Sequence, residues 1–82
     1  MVTIHRAYGL RFVIYLNDHD PAHIHVFGDG EAKIDIVGTD GQPSILHVIG
    51  MKASDRRKAL DVIKENQEWF LSEWNRLQGE GE

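Results

Sequence analysis

The sequence contains no cysteine, which excludes disulfides, thiolate catalysis and cysteine-ligated zinc fingers. It also contains no run of about 18 apolar residues that could form a membrane-spanning helix, and no charged-then-apolar leader. Basic side chains are outnumbered, 9 against 13 acidic ones, so the surface as a whole is not expected to bind nucleic acid. Together these absences predict a cytoplasmic protein that does not cross a membrane.

The rest of the composition is that of an ordinary globular chain, with 41% hydrophobic and 27% charged residues. A chain of 82 residues has room for one hydrophobic core, so residues 1–82 are predicted to form a single domain. A domain of this size buries only about 60–65% of the surface that its unfolded chain exposes. We therefore expect marginal stability unless a partner adds to it.

Titratable side chains are concentrated in one stretch, residues 17–26. It contains three of the five histidines, two carboxylates and one of the two prolines: Asp18, His19, Asp20, Pro21, His23 and His25. Pro21 disfavours helical backbone at the residue before it, so the first half of the stretch is predicted to be a loop. The alternation that follows predicts a half-buried strand with His23 and His25 on one face.

This stretch has a chemical and a structural interpretation. Two imidazoles on one strand face can bind a zinc or manganese ion, with His19 or a flanking aspartate as the third ligand. An open coordination position would then allow hydrolysis. In the structural interpretation, the two aspartates accept hydrogen bonds from loop amides and His23 pairs with Asp35 on the next strand. We favour the structural interpretation, so we expect no cofactor and a protein that folds without metal. A binding surface formed by the same side chains is a third possibility.

The register of the next strand follows from its apolar pattern. A two-residue turn at residues 29–30 would place apolar side chains opposite charged ones, whereas a three-residue loop over residues 28–30 keeps the apolar positions together. The predicted pairs are Ile24 with Ile34, Val26 with Ala32, His23 with Asp35, and His25 with Lys33.

The segments predict an α+β domain, in which four to five antiparallel strands form a meander and one long C-terminal helix lies on one face. Ser54 is predicted to cap a helix that runs to about Gln78 and stops at Gly79. Its apolar stripe has one polar break, at Gln67. The predicted core contains Ile4, Phe12, Ile14, Ile24, Val26, Ile34 and Ile36 from the strands, with Leu60, Ile63, Phe70 and Trp74 from the helix.

The predicted helix is longer than the sheet that supports it. Residues 55–78 would extend about 36 Å, whereas the predicted sheet measures about 20 by 24 Å. Either the helix breaks near Asn66, or its last turns are covered by a second copy or by another protein. Trp74 is the predicted anchor of such an interface. Alternatively, the twist of the strands and the N-terminal segment cover this end.

Basic side chains gather at the start of the helix, at Lys52, Arg56, Arg57 and Lys58. Helix N-termini attract anions, so this cluster is the one place where nucleic acid or an acidic partner could bind. No glycine-rich phosphate loop precedes it, and we favour a solvated helix end.

The motif Asp-His-Asp-Pro-Ala-His-Ile-His-Val at residues 18–26, followed by Gly-Asp-Gly-Glu-Ala-Lys-Ile at residues 28–34, resembles a small bacterial and phage-borne family. This is domain-of-unknown-function family 4160. The similarity extends from Thr3 to Asn75, although many relatives have a second proline where this chain has Ala22. The resemblance implies a one-domain protein encoded beside another small protein, and a toxin–antitoxin-like role. It supplies no catalytic residue.

Two functions are therefore expected, from different classes. The first is a small cytoplasmic protein-interaction domain, one component of a two-protein system, whose partner is a small protein encoded by an adjacent gene. Self-association through the C-terminal helix is a further expectation. The alternative is a metal-dependent hydrolase or nuclease that uses His19, His23 and His25.

Overall fold

The computed structural model describes residues 1–79 and contains five strands followed by two helices. In chain order the elements are β1 (Val2–Ala7), β2 (Leu10–Ile14), β3 (His23–Gly28), β4 (Gly30–Asp35), β5 (Ser44–Ile49), α1 (Ala53–Glu65) and α2 (Gln67–Gly79). The strands form one antiparallel sheet in the order β1-β2-β3-β4-β5. The predicted α+β meander is confirmed.

The predicted register between β3 and β4 is also confirmed. His23 lies opposite Asp35, and His25 lies opposite Lys33. At the turn, Gly30 has φ +145°, a conformation that favours glycine. A methyl group at this position would lie 2.5 Å from the carbonyl oxygen of Gly50. The β3–β4 turn therefore needs glycine at position 30 for two reasons, its backbone angle and the close approach of a neighbouring segment.

The hydrophobic core lies between one face of the sheet and the two helices. Phe12 from β2 and Phe70 from α2 are both fully buried, and their ring centroids are 5.7 Å apart. Of the predicted core residues, Ile4 and Leu60 are only half-buried, at its margin. Several residues outside the predicted core set complete the core: Leu10, Ala32, Met51, Ala59, Val62 and Leu77.

In place of the single long helix that was predicted, the structure has two helices, because the helical conformation is interrupted at Asn66. This residue leaves the helical conformation with φ −127° and ψ 30°, and its side-chain amide donates to the Val62 carbonyl oxygen at 2.9 Å. The break near Asn66, one of the three predicted alternatives, is therefore what the structure shows. The predicted start was two residues late, because Lys52 is the N-cap and Ser54 lies in the first turn.

Gln67, the polar break in the apolar stripe, connects the second helix to the sheet. Its side-chain Nε2 donates to the carbonyl oxygens of Ile36 at 2.8 Å and Gly41 at 2.9 Å. These two bonds fix the start of α2 against the segment between β4 and β5. A side chain that interrupts the hydrophobic pattern thus determines where the second helix lies.

Trp74, the predicted interface anchor, lies inside the domain. Its side chain is 3% exposed and belongs to the core cluster, with its ring centroid 4.9 Å from that of His23. The turn at Asn66 redirects the last helical segment over the sheet, so this side chain is covered within the domain. Neither helix in residues 1–79 is long and apolar enough to cross a membrane.

Candidate functional site

The loop between β2 and β3 is held in place by the end of α2. The Gln78 side-chain oxygen accepts a hydrogen bond from the Asp18 amide at 2.8 Å, and its Nε2 donates to the Tyr15 carbonyl oxygen at 2.8 Å. One side chain thus binds both ends of a short turn. Gln78 was not among the predicted site residues, since a glutamine at a helix end carries no local signal for such a contact.

Three potential metal ligands converge where this loop meets β3. One carboxylate oxygen of Asp18, Oδ2, lies 2.8 Å from His23 Nε2 and 3.9 Å from His25 Nε2. The ligand atoms of the three residues all lie within 4.8 Å of one another. The two histidines have the predicted spacing on one strand, and the third member is a flanking aspartate, one of the two predicted alternatives.

His23 is the buried member of this cluster, with 2% of its surface exposed. Its Nδ1 lies 2.8 Å from the Pro21 carbonyl oxygen. A carbonyl oxygen only accepts hydrogen bonds, so Nδ1 carries the proton of this bond. The Asp18 oxygen is close to Nε2 but is not an aligned hydrogen-bond partner, and Nε2 has no such partner among residues 1–79. A buried ring nitrogen thus lies 2.8 Å from a carboxylate oxygen without an aligned hydrogen bond between them.

The electrostatics of the cluster favour an ionised aspartate and a neutral second histidine. Partial burial alone would raise the pKa of Asp18, but the His19 amide and the nearby imidazoles outweigh it and lower the pKa. Burial lowers the pKa of His25, and the proximity of His23 lowers it further, against the opposing effect of Asp18. An anionic oxygen and a neutral imidazole are the forms in which these groups bind metal ions.

The other predicted site residues occupy different positions. His19 donates its amide to Asp18 Oδ1 at 2.9 Å, and its ring is not part of the cluster. Asp35 lies across from His23 but accepts a hydrogen bond from the Val37 amide at 3.2 Å. An open cleft of about 410 Å³ adjoins the cluster, and it is lined by Asp18, His19, Asp20, Trp74, Asn75, Gln78 and Gly79.

The sheet face away from the helices carries a row of aromatic and basic side chains beside this site. Tyr15 contacts His25 edge-on, with ring centroids 4.3 Å apart. The Arg11 guanidinium lies 5.3 Å from the centroid of the Phe27 ring. His25 thus belongs both to the cluster and to the face of the sheet that the helices leave open.

The basic cluster at residues 52–58 lies at the start of α1, away from these side chains in sequence. Lys58 Nζ lies 5.7 Å from the centroid of the Tyr8 ring, in the turn between β1 and β2. This contact accounts for the position of one of the four basic side chains.

Comparison with known proteins gives one result. The model of the family described as Domain of unknown function (DUF4160) matches residues 9–75, which include β2 to α1, the whole candidate site except Gln78, and most of α2. No curated protein and no solved structure matches the chain.

Proposed function

The chain belongs to the DUF4160 family, and we propose that it is a small bacterial, cytoplasmic protein-interaction domain, one component of a two-protein, toxin–antitoxin-like system. Its partner would be the small protein encoded by an adjacent gene. The structural observation that supports this proposal is the apolar exposure of strand β5.

β5 is the last strand of the sheet, so one of its sides has no neighbouring strand within residues 1–79. Leu46 and Ile49 are 46% and 54% exposed on this strand. At the opposite edge, the apolar residues Val2 and Ile4 of β1 are half-buried against the core. An edge strand with free backbone groups and exposed apolar side chains is a surface to which another chain can add a strand.

The test is co-purification of the chain with the product of the adjacent gene, both expressed together. Leu46→Lys and Ile49→Lys should reduce recovery of the partner by about tenfold or more, because each places a charge in an apolar interface. Tyr8→Lys is the matched control, because Tyr8 is 68% exposed in a turn away from β5. Undiminished recovery with both β5 variants would contradict the proposal.

The convergence of Asp18, His23 and His25 favours a second candidate, a metal-dependent hydrolase or nuclease. In this candidate Asp18 takes the ligand position that His19 was predicted to share. An ion held by three ligands keeps an open position for water, which it activates as a nucleophile.

Cleavage of a chromogenic phosphodiester and of RNA and DNA oligonucleotides, with zinc or manganese added, tests this candidate. Asp18→Asn should abolish turnover, whereas His19→Ala should retain it. Turnover that both variants retain would show that the activity comes from elsewhere.

A further inference from the structure

One ring nitrogen of His23, Nε2, is buried without an aligned hydrogen bond among the described residues. Since Nδ1 donates to the Pro21 carbonyl, the neutral ring has an unprotonated Nε2 with a lone pair. This atom is buried without a hydrogen-bond partner among the described residues, and a carboxylate oxygen lies 2.8 Å from it. Two electron-pair donors at this distance repel each other unless a proton or another positive charge lies between them.

A proton between His23 Nε2 and Asp18 Oδ2 would remove this repulsion, but the cluster contains a third electron-pair donor. His25 presents Nε2 to the same carboxylate oxygen, at 3.9 Å. Donors arranged tetrahedrally around an ion at about 2.0–2.2 Å are roughly 3.3–3.6 Å apart. The observed separations, from 2.8 Å to at most 4.8 Å, bracket that range. A metal ion is the one positive centre that accepts electron pairs from all three.

We infer that Asp18, His23 and His25 form a binding site for one divalent transition-metal ion of the zinc class. Two imidazole nitrogens and one carboxylate oxygen suit zinc, and the same ligand set is used for iron and manganese. This inference deepens the second candidate function but does not rest on turnover, because an ion can be bound without catalysing hydrolysis.

The ligands are held by groups outside the cluster, as those of a metal site need to be. The Pro21 carbonyl fixes the ring of His23 with Nε2 pointing inward. The His19 amide occupies Asp18 Oδ1, which leaves Oδ2 to face the histidines, and Gln78 holds the Asp18 backbone. An ion would therefore meet two ligands that are already oriented.

The site is also accessible. Asp18 and His25 are 26% and 21% exposed, whereas His23 is buried behind them. An ion can thus enter from the solvent side and retain water there. Because the domain has its own hydrophobic core, we expect it to fold without the ion and to bind it afterwards.

The test is calorimetric titration of zinc into protein that carries no histidine tag and has been treated with EDTA and dialysed. We expect one ion per chain, and a melting temperature raised by about 5–10 °C at a free zinc concentration about tenfold above Kd. Cobalt provides a second readout, since its visible absorption reports ligand type and coordination number. Asp18→Asn and His25→Ala should each weaken binding by about tenfold or more.

His19→Ala is the matched control, because His19 lies in the same loop and its ring is outside the cluster. It should bind zinc like the wild type. The inference is wrong if zinc does not bind saturably, or if Asp18→Asn and His25→Ala both bind it as the wild type does. Saturable binding without hydrolysis of any phosphodiester would support the metal site and remove the second candidate function.

Discussion

Replacing Trp74 with alanine should destabilise the whole domain. Trp74 is 3% exposed in the core. A tryptophan buries about 150–250 Å², which at about 25 cal/mol per Å² corresponds to roughly 4–6 kcal/mol. Measured losses for such truncations are about 3–5 kcal/mol. A chain of 82 residues is expected to have about 4–12 kcal/mol in total, so this variant should lose between a quarter and nearly all of its stability.

Urea unfolding measured by far-ultraviolet circular dichroism is the suitable assay, because the substitution removes one of the two tryptophans that fluorescence would follow. Trp69→Ala provides the control on the same helix, since Trp69 is 44% exposed. This control should lose about 2–3 kcal/mol, roughly half of the loss worked out for Trp74, because nearly half of its side chain is already exposed. The dependence of the unfolding free energy on urea concentration should be unchanged if the folded and unfolded states stay equally compact.

The result that would refute this reasoning is a small loss for Trp74→Ala, about 1 kcal/mol or less, with the fold intact. Such a result would mean that Trp74 contributes little to the core. Loss of self-association or of partner binding without loss of stability would restore Trp74 as the interface anchor that the sequence predicted.

Three further substitutions test other parts of the fold. Gly30→Ala should lower the free energy of unfolding by more than about 2 kcal/mol, measured by thermal or urea unfolding, because its methyl group meets the Gly50 carbonyl. Gly41→Ala is the control, since φ is also positive there but nothing lies within 4 Å, and it should lower the free energy of unfolding by only about 1–2 kcal/mol. Gln67→Ala should lose about 1–3 kcal/mol by the same assays, since two carbonyl acceptors lose their donor. Because the pKa of His25 is lowered from 6.5 in the folded state, the unfolded chain binds this proton first, and stability should fall as the pH decreases through about 6.5. With EDTA present, His25→Gln should show a weaker decrease in the urea midpoint over this range, and equal decreases in both proteins would contradict the pKa direction.

The sheet was predictable because its determinants are local. Two local features fix the register between β3 and β4: the alternation from His23 to Val26 and the glycines of the next turn. A shift by one residue would move every side chain to the other face of the sheet. Only one loop length keeps Ile24 opposite Ile34, and the structure has that pairing. Strand pairing between sequence neighbours therefore needed no knowledge of the rest of the chain.

The helix break and the surroundings of His23 depend on contacts that are distant in sequence. The first helix ends at Asn66, and the next residue, Gln67, donates to backbone carbonyl oxygens that lie 31 and 26 residues earlier in the chain. His23 was predicted on a half-exposed face with Asp35 as its partner. It is buried because Trp74 covers it and the loop folds back, bringing Asp18 to its ring. No period within β3 could have indicated either neighbour.

The bonds that Gln78 makes with Asp18 and Tyr15 have a consequence for the order of folding. They join residues 60 and 63 positions apart, whereas every strand pairs with its neighbour in sequence. Contacts between distant residues require large loops to close, so sheet hairpins are expected to form early and this connection late. Contacts that form late and lie at an element's end are also the ones that open first in the native state. In hydrogen exchange, the Asp18 amide should therefore exchange through a local opening that costs less free energy than the opening that exposes the amides of β3. The loop that carries the candidate ligand would then leave and rejoin the site while the sheet stays folded.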